Sequence, residues 1–198
     1  MYMIFDLETT GLLHSKPYIV SIAYKIYTND DELIHSYYEV VEPPNEDYEF
    51  PIESVNVHGI TTNYAKIFGI SILQVIKDLH DVFDEYKEID TLIAHNIAFD
   101  IPVLELQLHR FDKGDDDGIM LKDKISHLKT CCTMMASINI TNIERKNKYG
   151  KTYIKQPKLS ELYTHLFNDT FNAHNAKDDV DACARCYIYM KQNSMLYS

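Results

Sequence analysis

The sequence predicts an α/β fold in which helices flank a central mixed sheet. The chain opens on a short apolar strand within Ile4–Leu13. The apolar segments Tyr18–Tyr27 and Glu32–Val41 flank the turn sequence Thr-Asn-Asp-Asp, which is typical of a β-hairpin. Thr91–His95 has the composition of a central strand and leads into a helical segment, Ile97–Phe111. A hairpin beside a strand with a crossover helix indicates a sheet of mixed direction.

The other periodic segments complete this fold. Ile72–Tyr86 has helical periodicity, with one apolar face formed by Ile72, Val75, Ile76, Leu79 and Phe83. Four more elements are predicted: a surface loop at Phe111–Gly118, a short strand within His127–Met134, a helix at Lys158–Phe167 and a last helix ending near Lys191. A chain of 198 residues suits one domain, residues 1–198.

Composition excludes several classes of protein. No apolar run approaches the roughly 18 residues of a membrane span, and no charged-then-apolar leader precedes the first strand. We therefore expect an intracellular, cytoplasmic protein without a membrane partner. Cys183 and Cys186 fall on the packed face of the last helix, and the adjacent Cys131 and Cys132 lack zinc-knuckle spacing, so core thiols are expected rather than a zinc site.

Two carboxylates lie two residues apart in the first strand. Because side chains alternate along a strand, Asp6 and Glu8 share one face, with Cα atoms roughly 6 to 7 Å apart. This spacing suits a pair of divalent cations. The same pattern also occurs on the solvated face of a half-buried antiparallel strand, so other acidic positions must decide between these interpretations.

A second acid lies on a helix face that is expected to be buried. Asp100 falls in the first turn of the predicted helix Ile97–Phe111, in line with Val103 and Leu104. That face is expected to pack on the sheet, where a merely solvated carboxylate would not lie.

A third acid comes from the run of aspartates that opens the last helix. Asp179 aligns with the apolar stripe of this helix, whereas Asp178 and Asp181 point roughly 100° or more away from it. Helix capping explains Asp178 and solvent exposure explains Asp181. Neither explains Asp179, which we therefore predict to belong to the site.

Together these residues predict a cluster of four acids beside a histidine. Grouping Asp6, Glu8, Asp100 and Asp179 in a partly buried site is costly unless cations offset the charge. Ligation by oxygen alone selects hard ions, so Mg²⁺ or Mn²⁺ is expected rather than Zn²⁺.

The three acidic segments resemble the three exonuclease motifs of the DEDD superfamily, in its His-containing branch, DEDDh. That branch includes bacterial proofreading epsilon subunits, ribonuclease T and the animal three-prime repair exonucleases. All the catalytic positions of the branch are matched, by Asp6, Glu8, Asp100, His174 and Asp179. The third motif, His-x-Ala-x-x-Asp, also includes Ala176, and the resemblance spans Ile4 to Met190. Any one motif is weak, but three in order are specific.

The resemblance implies a ribonuclease-H-like fold and removal of nucleotides from the 3′ end of a nucleic acid as 5′-monophosphates. It implies that two divalent cations bind, with Asp6 bridging them, Glu8 and Asp179 completing the first site, and Asp100 acting largely through water on the second. His174 would be the general base, a role that suits its unperturbed pKa of ~6.5. A helix-flanking surface histidine is the simpler alternative.

The resemblance also implies substrate contacts. In the family, the segment corresponding to Thr9, Thr10 and Gly11 meets the terminal 3′ hydroxyl, and Leu12 would wedge against the last base; an ordinary strand-ending turn is the alternative. His58 resembles a residue that lines the nucleotide pocket. Asn96 is expected either to order the site or to make a structural hydrogen bond.

A basic segment interrupts an otherwise acidic chain. The net charge of −11 argues against a general nucleic-acid binder. Between Glu144 and Lys158, however, the local balance is +5, with Tyr149 and Tyr153 interleaved. We expect this loop to grip the incoming strand through residues that include Arg145, Lys148, Lys151 and Lys155. A solvated, mobile loop is the alternative.

The predicted function is therefore a two-metal-dependent 3′-to-5′ exonuclease acting on the 3′ ends of single-stranded nucleic acid, with DNA favoured over RNA. A proofreading role would need a polymerase or other replication partner, but no tail of the epsilon type follows the last helix, which favours a stand-alone nuclease. The alternatives are an exoribonuclease that trims RNA 3′ ends and a non-catalytic module that binds nucleic-acid ends.

Overall fold

The computed structural model describes residues 1–114 and 120–196. Its strands are β1 (Tyr2–Thr9), β2 (Ile19–Tyr27), β3 (Leu33–Val40), β4 (Thr91–Ala94), β5 (Lys129–Cys132), β6 (Glu144–Lys146) and β7 (Thr152–Ile154). Its α-helices are α1 (Ile52–His58), α2 (Thr62–Phe68), α3 (Ile72–Glu85), α4 (Ile97–Phe111), α5 (Leu121–Ile125), α6 (Thr133–Ala136), α7 (Ile138–Thr141), α8 (Leu159–Phe167) and α9 (Ala176–Gln192). A 3-10 turn, Leu13–Ser15, follows β1.

The central sheet has five strands in the order β3-β2-β1-β4-β5. β1 runs antiparallel to β2 and parallel to β4, so the sheet is mixed as predicted. The pairing of β1 with β4 reaches only as far as Ile4 and Ile93. The carboxyl end of β1 therefore extends past β4, and the connection from β4 into α4 faces it, at the edge of the sheet where α/β folds place their sites.

Helices cover both faces of the sheet, and alternate residues of β1 divide between them. Met3, Phe5 and Leu7 pack in the cluster that includes residues of α3, α4 and α5. Tyr2 and Ile4 pack in the opposite cluster, with residues of α8 and α9. The period of two along the strand therefore directs Asp6 and Glu8, which continue the series of Tyr2 and Ile4, toward the α9 side.

The structure confirms the fold class, and the bounds of α4 agree with the predicted helix. The strand within His127–Met134 is limited to β5, because the chain turns into α6 at Thr133. The predicted loop Phe111–Gly118 is described only up to Gly114; its remaining residues lie outside the described chain. Among the described helices, none is long and apolar enough to cross a membrane.

The prediction that the basic segment is a loop is wrong. β6 and β7 pair as an antiparallel hairpin, with Arg145 opposite Tyr153. The side chain of Asn147 shapes its turn by accepting hydrogen bonds from the amides of Tyr149 and Lys151, at 2.9 and 3.0 Å. Gly150 completes the turn at a φ of 78°, where a side chain would be strained.

Candidate active site

Three acids meet at the carboxyl end of β1. Asp6 and Glu8 project from the same face of the strand, and Asp179 reaches them from the first turn of α9. One carboxylate oxygen from each of these residues lies within 4.8 Å of the others. The structure thus brings together the three residues predicted to form the first cation site.

Asp100 approaches the same edge from α4. Its side chain is buried, with 4% exposure, in the first turn of the helix. Its charge is the largest contribution from a neighbouring group to the raised pKa of Asp6, after burial itself. Asp100 is therefore electrostatically part of the acidic cluster, although it lies outside the group of three acids that surround one point.

Burial raises the pKa of every acid in the cluster, and repulsion within the cluster adds to this for Asp6, Glu8 and Asp100. Burial and the charges of Asp100, Asp179 and Glu8 hold the pKa of Asp6 well above its usual range. Burial, followed by the charge of Asp179, raises the pKa of Glu8 to about 7. Burial also raises the pKa of Asp100 to about 8 and that of Asp179 to about 6. A nearby positive charge would therefore strongly stabilise the ionised form of these acids.

The aspartates that open α9 have separate partners. The Oδ2 atom of Asp179 accepts a hydrogen bond from the amide of Asn175 at 3.0 Å, inside the site. Asp178 instead accepts one from Asn172 at 3.0 Å, and Asp181 pairs with Lys25 on β2. The helical periodicity therefore selected the aspartate that the structure places in the cluster.

His174 lies at the mouth of the site, immediately before α9. Its side chain is exposed, and its backbone adopts the left-handed region at a φ of 70°. It lines a cleft of about 440 Å³ with Asp6, Glu8 and Asp179. Its positive charge when protonated lowers the pKa of Asp179, against the larger effect of burial. An imidazole open to solvent beside the acids can exchange a proton with a molecule in the cleft.

The donor set fits hard divalent cations. The converging atoms are carboxylate oxygens, which Mg²⁺ and Mn²⁺ prefer, and no cysteine or histidine joins the group of three acids in the described residues. The raised pKa values of Asp6, Glu8 and Asp179 indicate negative charge that the described residues leave uncompensated. Bound cations would offset that charge.

A second pocket opens beside Glu8. It has a volume of about 280 Å³ and is lined by Glu8, Thr9, Thr10, Gly11, Leu12, Pro51, Glu53, Ser54, Val57, His58 and Phe99. The Leu12 side chain is 65% exposed, which leaves it free to contact a ligand. Glu8 lines both pockets, so the acidic cleft and this pocket adjoin at its side chain.

The two threonine hydroxyls of the second pocket make hydrogen bonds within the turn that follows β1. The hydroxyl of Thr9 donates to the carbonyl oxygen of Gly11 at 2.8 Å, and that of Thr10 accepts from the amide of Tyr18 at 2.9 Å. The two side chains therefore shape the turn. The buried ring of His58 accepts a hydrogen bond from the amide of Ile60 at Nδ1, at 3.1 Å, which leaves the proton on Nε2.

The structure places Asn96 at the acidic cleft. Its backbone has a φ of 79°, its side chain makes no capping hydrogen bond to α4, and it lines the cleft with the acids. The left-handed conformation, which asparagine tolerates, allows the sharp turn from β4 into α4 that brings Asp100 to the site.

Of the cations in the basic segment, Lys158 lines the acidic cleft, together with Gln156 and Pro157, whereas those of the hairpin do not. Arg145, Lys148 and Lys151 are exposed on the hairpin and do not line the cleft. Lys155 differs from them, because its ammonium group pairs with both carboxylate oxygens of Glu161, at 2.5 and 2.6 Å. It is committed to an ion pair with α8.

Several residues that line the two pockets were not predicted from the sequence. Phe99 forms a wall of the second pocket, and Gln156 and Pro157 form a wall of the acidic cleft. Phe99 lies one residue before Asp100, which could have suggested its place. Gln156 and Pro157 lie within the basic segment, but they are uncharged, so its charge pattern did not point to them.

Comparison with known proteins relates this chain to exonucleases. A family model described as exonuclease, RNase_T, matches residues 3–187. In sequence, the chain is 26% identical over 183 residues to a PolC-type DNA polymerase III of Clostridium perfringens, and the match covers 92% of this chain and 11% of the polymerase. It is 26% identical over 214 residues to an uncharacterized exonuclease of Acanthamoeba polyphaga mimivirus, with 96% and 59% coverage.

Solved structures share the fold. E. coli Exonuclease I in complex with a dA16 oligonucleotide superposes with a TM-score of 0.72 at 18% identity, over 98% of this chain and 42% of that one. Exonuclease I of Methylocaldum szegediense gives a TM-score of 0.70 at 19% identity, over 98% and 41%. This chain thus spans less than two thirds of the length of each of these relatives. Since the family model covers nearly the whole chain and the three acidic motifs lie within it, the protein belongs to the RNase_T family of exonucleases.

Proposed function

We propose that this chain is a divalent-cation-dependent 3′-to-5′ exonuclease that acts on single-stranded nucleic acid, with DNA preferred over RNA, and releases 5′-mononucleotides. The observation that carries the proposal is the convergence of oxygens from Asp6, Glu8 and Asp179 within 4.8 Å, in a cleft that His174 also lines. Family membership supports the reaction class.

In this proposal the four acids would hold two divalent cations: Asp6, Glu8 and Asp179 would supply the oxygens for the first, and Asp6 and Asp100 those for the second. When bound, the cations would activate the attacking water and stabilise the leaving 3′ oxygen. The burial of Asp100 and Asp179 keeps bulk water from their carboxylates, which strengthens every charge interaction there.

The remaining chemistry belongs to the side chains of the cleft. His174 takes a proton from the attacking water through its imidazole, and its exposure lets it pass that proton to solvent. The terminal nucleotide occupies the pocket beside Glu8, where Leu12 and Phe99 offer apolar surface to the base. The backbone of the Thr9-Thr10-Gly11 turn faces the terminal 3′ hydroxyl, since the two threonine hydroxyls are engaged within the turn.

The basic hairpin, residues 144–155, contacts the strand upstream of the terminal nucleotide. Tyr149 is 81% exposed and Tyr153 49% exposed, which suits stacking against successive bases. Lys148 and Lys151 supply charge for phosphates in a protein whose net charge is −11. Lys155 supports the hairpin through Glu161 rather than contacting the strand.

The preference for DNA rests on relatives. One relative is a PolC-type DNA polymerase III, and E. coli Exonuclease I was solved with a dA16 oligonucleotide. The PolC similarity also supports action alongside a polymerase, which co-purification with a replicative polymerase would test.

The test is digestion of matched single-stranded DNA and RNA oligonucleotides, labelled at either end, with Mg²⁺, Mn²⁺ or EDTA. A cation-dependent ladder from the 3′ end, reduced at least about a hundredfold in Asp6→Ala, is the expected result. The Asp181→Asn variant is the matched control, because Asp181 lies outside the cluster. Faster digestion of RNA would assign RNA trimming instead, and tight end binding without product would assign a binding module.

A further inference from the structure

His95 makes two hydrogen bonds that link distant parts of the chain. It follows β4 directly, and its ring lines the acidic cleft without joining the acidic cluster. Its Nδ1 atom lies 3.0 Å from the hydroxyl of Thr133, and its Nε2 atom lies 3.1 Å from the carbonyl oxygen of Pro157. The second partner is 62 residues away in the sequence.

The chemistry of the partners fixes the direction of these hydrogen bonds. A carbonyl oxygen only accepts, so Nε2 carries the proton and donates to Pro157. Burial lowers the pKa of His95 to about 4, so the ring is neutral and Nδ1 accepts from the hydroxyl of Thr133. The sulfur of Cys183 lies 3.6 Å from that hydroxyl oxygen, to which its thiol can donate. A directed chain therefore runs from Cys183 through Thr133 and His95 to Pro157.

The two ends of this chain lie on elements with different roles. Cys183 is on α9, one turn after Asp179, and faces the core. Pro157 is buried between the basic hairpin and α8. The hairpin is also fixed by the pairing of Lys155 with Glu161, whose carboxylate accepts from the amide of Lys158 at 2.7 Å. Residues 155–158, which follow β7, are thus held by the hydrogen bond from His95 to Pro157 and by the contacts with Glu161. The first of these contacts continues through Thr133 and Cys183 to α9, the helix that carries Asp179.

We propose that His95 is a positioning residue that holds the basic hairpin in register with the acidic cleft, so that a strand gripped upstream presents its 3′ end to the acids. The inference rests on the proposed function and extends it, because it assigns His95 to the capture of long strands. A long strand gains binding energy from the hairpin, whereas a substrate too short to reach the hairpin does not.

Two substitutions separate the hydrogen bond to Pro157 from the rest of the side chain. The amide nitrogen of Gln is the same number of bonds from Cα as Nε2 of histidine, so His95→Gln retains a donor toward Pro157. The amide of Asn ends one bond earlier, at the position of Nδ1, so His95→Asn reaches Thr133 alone. Thr133→Val and Thr133→Ser form a second matched pair, in which only serine keeps the hydroxyl.

The kinetic readout is the KM for an oligonucleotide of about 20 nucleotides divided by the KM for a dinucleotide. Loss of one hydrogen bond is expected to raise this ratio about fivefold in His95→Asn, and His95→Gln restores it. Thr133→Val removes only the hydrogen bond at Nδ1, as His95→Gln does, so neither it nor Thr133→Ser is expected to raise the ratio. A parallel rise of both KM values, which leaves the ratio unchanged, would overturn the inference.

A second readout does not depend on turnover. Hydrogen exchange of the peptide covering residues 144–158, measured without substrate, is expected to accelerate in His95→Asn but not in His95→Gln. If the wild-type protein degrades neither substrate, the proposed function fails while this measurement still decides the positioning role. Unchanged exchange in His95→Asn would refute it.

Discussion

Replacing Asp179 by Asn is expected to stabilise the cation-free protein while abolishing its activity. Burial raises the pKa of Asp179 to about 6, from an ordinary value of 3.8. Because the pKa is higher in the folded than in the unfolded state, folding disfavours the ionised form. The resulting loss of stability is absent well below pH 3.8, grows as the pH rises toward 6 and is complete above it.

The magnitude follows from the two pKa values. The difference between the pKa values of the folded and unfolded states lowers the free energy of unfolding by about 1 kcal/mol near pH 4.5 and by about 3 kcal/mol near pH 8. Asparagine avoids this cost and keeps an oxygen that can accept the hydrogen bond from the amide of Asn175. The free energy of unfolding of Asp179→Asn should therefore exceed that of the wild type by up to about 3 kcal/mol near pH 8.

Urea unfolding in EDTA at the two pH values measures this difference. Asp178→Asn is the matched control, since it lies in the same first turn of α9 but outside the cluster. In Asp178→Asn, loss of a negative charge near the helix N-terminus is expected to lower the free energy of unfolding by about 0.3 to 1 kcal/mol. This change is opposite in sign to the one expected for Asp179→Asn. If Asp179→Asn gains no stability near pH 8, or gains as much near pH 4.5, the reasoning from carboxylate burial is wrong.

Other substitutions test separate parts of the molecule. Asn175→Ala removes the hydrogen bond to the amide of Lys177 and should lower the free energy of unfolding by about 1 kcal/mol in urea; no loss would contradict the capping role. Leu162→Ala empties a fully buried position and should cost roughly 2 to 5 kcal/mol by thermal melting, unlike the exposed control Leu73→Ala. Glu8→Gln should lower kcat at least about a hundredfold with little change in KM, and a change confined to KM would restrict Glu8 to binding.

Periodicity in the sequence predicted where the acids lie. The period of two in β1 placed Asp6 and Glu8 on one face, and the helical period separated Asp179 from Asp178 and Asp181. These predictions depend on one element at a time, so local geometry sufficed. The bounds of α4 were predictable for the same reason, because an apolar strand and a long periodic segment meet at Asn96.

The basic hairpin could not be predicted in this way. Its strands are three residues long and exposed, so no alternation of buried and solvated residues marks them. They depend on the turn that the Asn147 side chain shapes and on the ion pair of Lys155 with Glu161. The partners of His95 were hidden too, since contacts with residues 133 and 157 are products of tertiary packing.

The topology explains why the acids concentrate charge at one edge of the sheet. Pairing between β1 and β4 stops at Ile4 and Ile93, so Asp6 and Glu8 continue past the last paired residues. The left-handed turn at Asn96 then directs Asp100 back toward that end, and α9 brings Asp179 against it. Their meeting point is electrostatically unfavourable because buried like charges repel. Cations that bind at such a site relieve the repulsion between the acids, so we expect cation affinity to rise with the free-energy cost of burying those acids together.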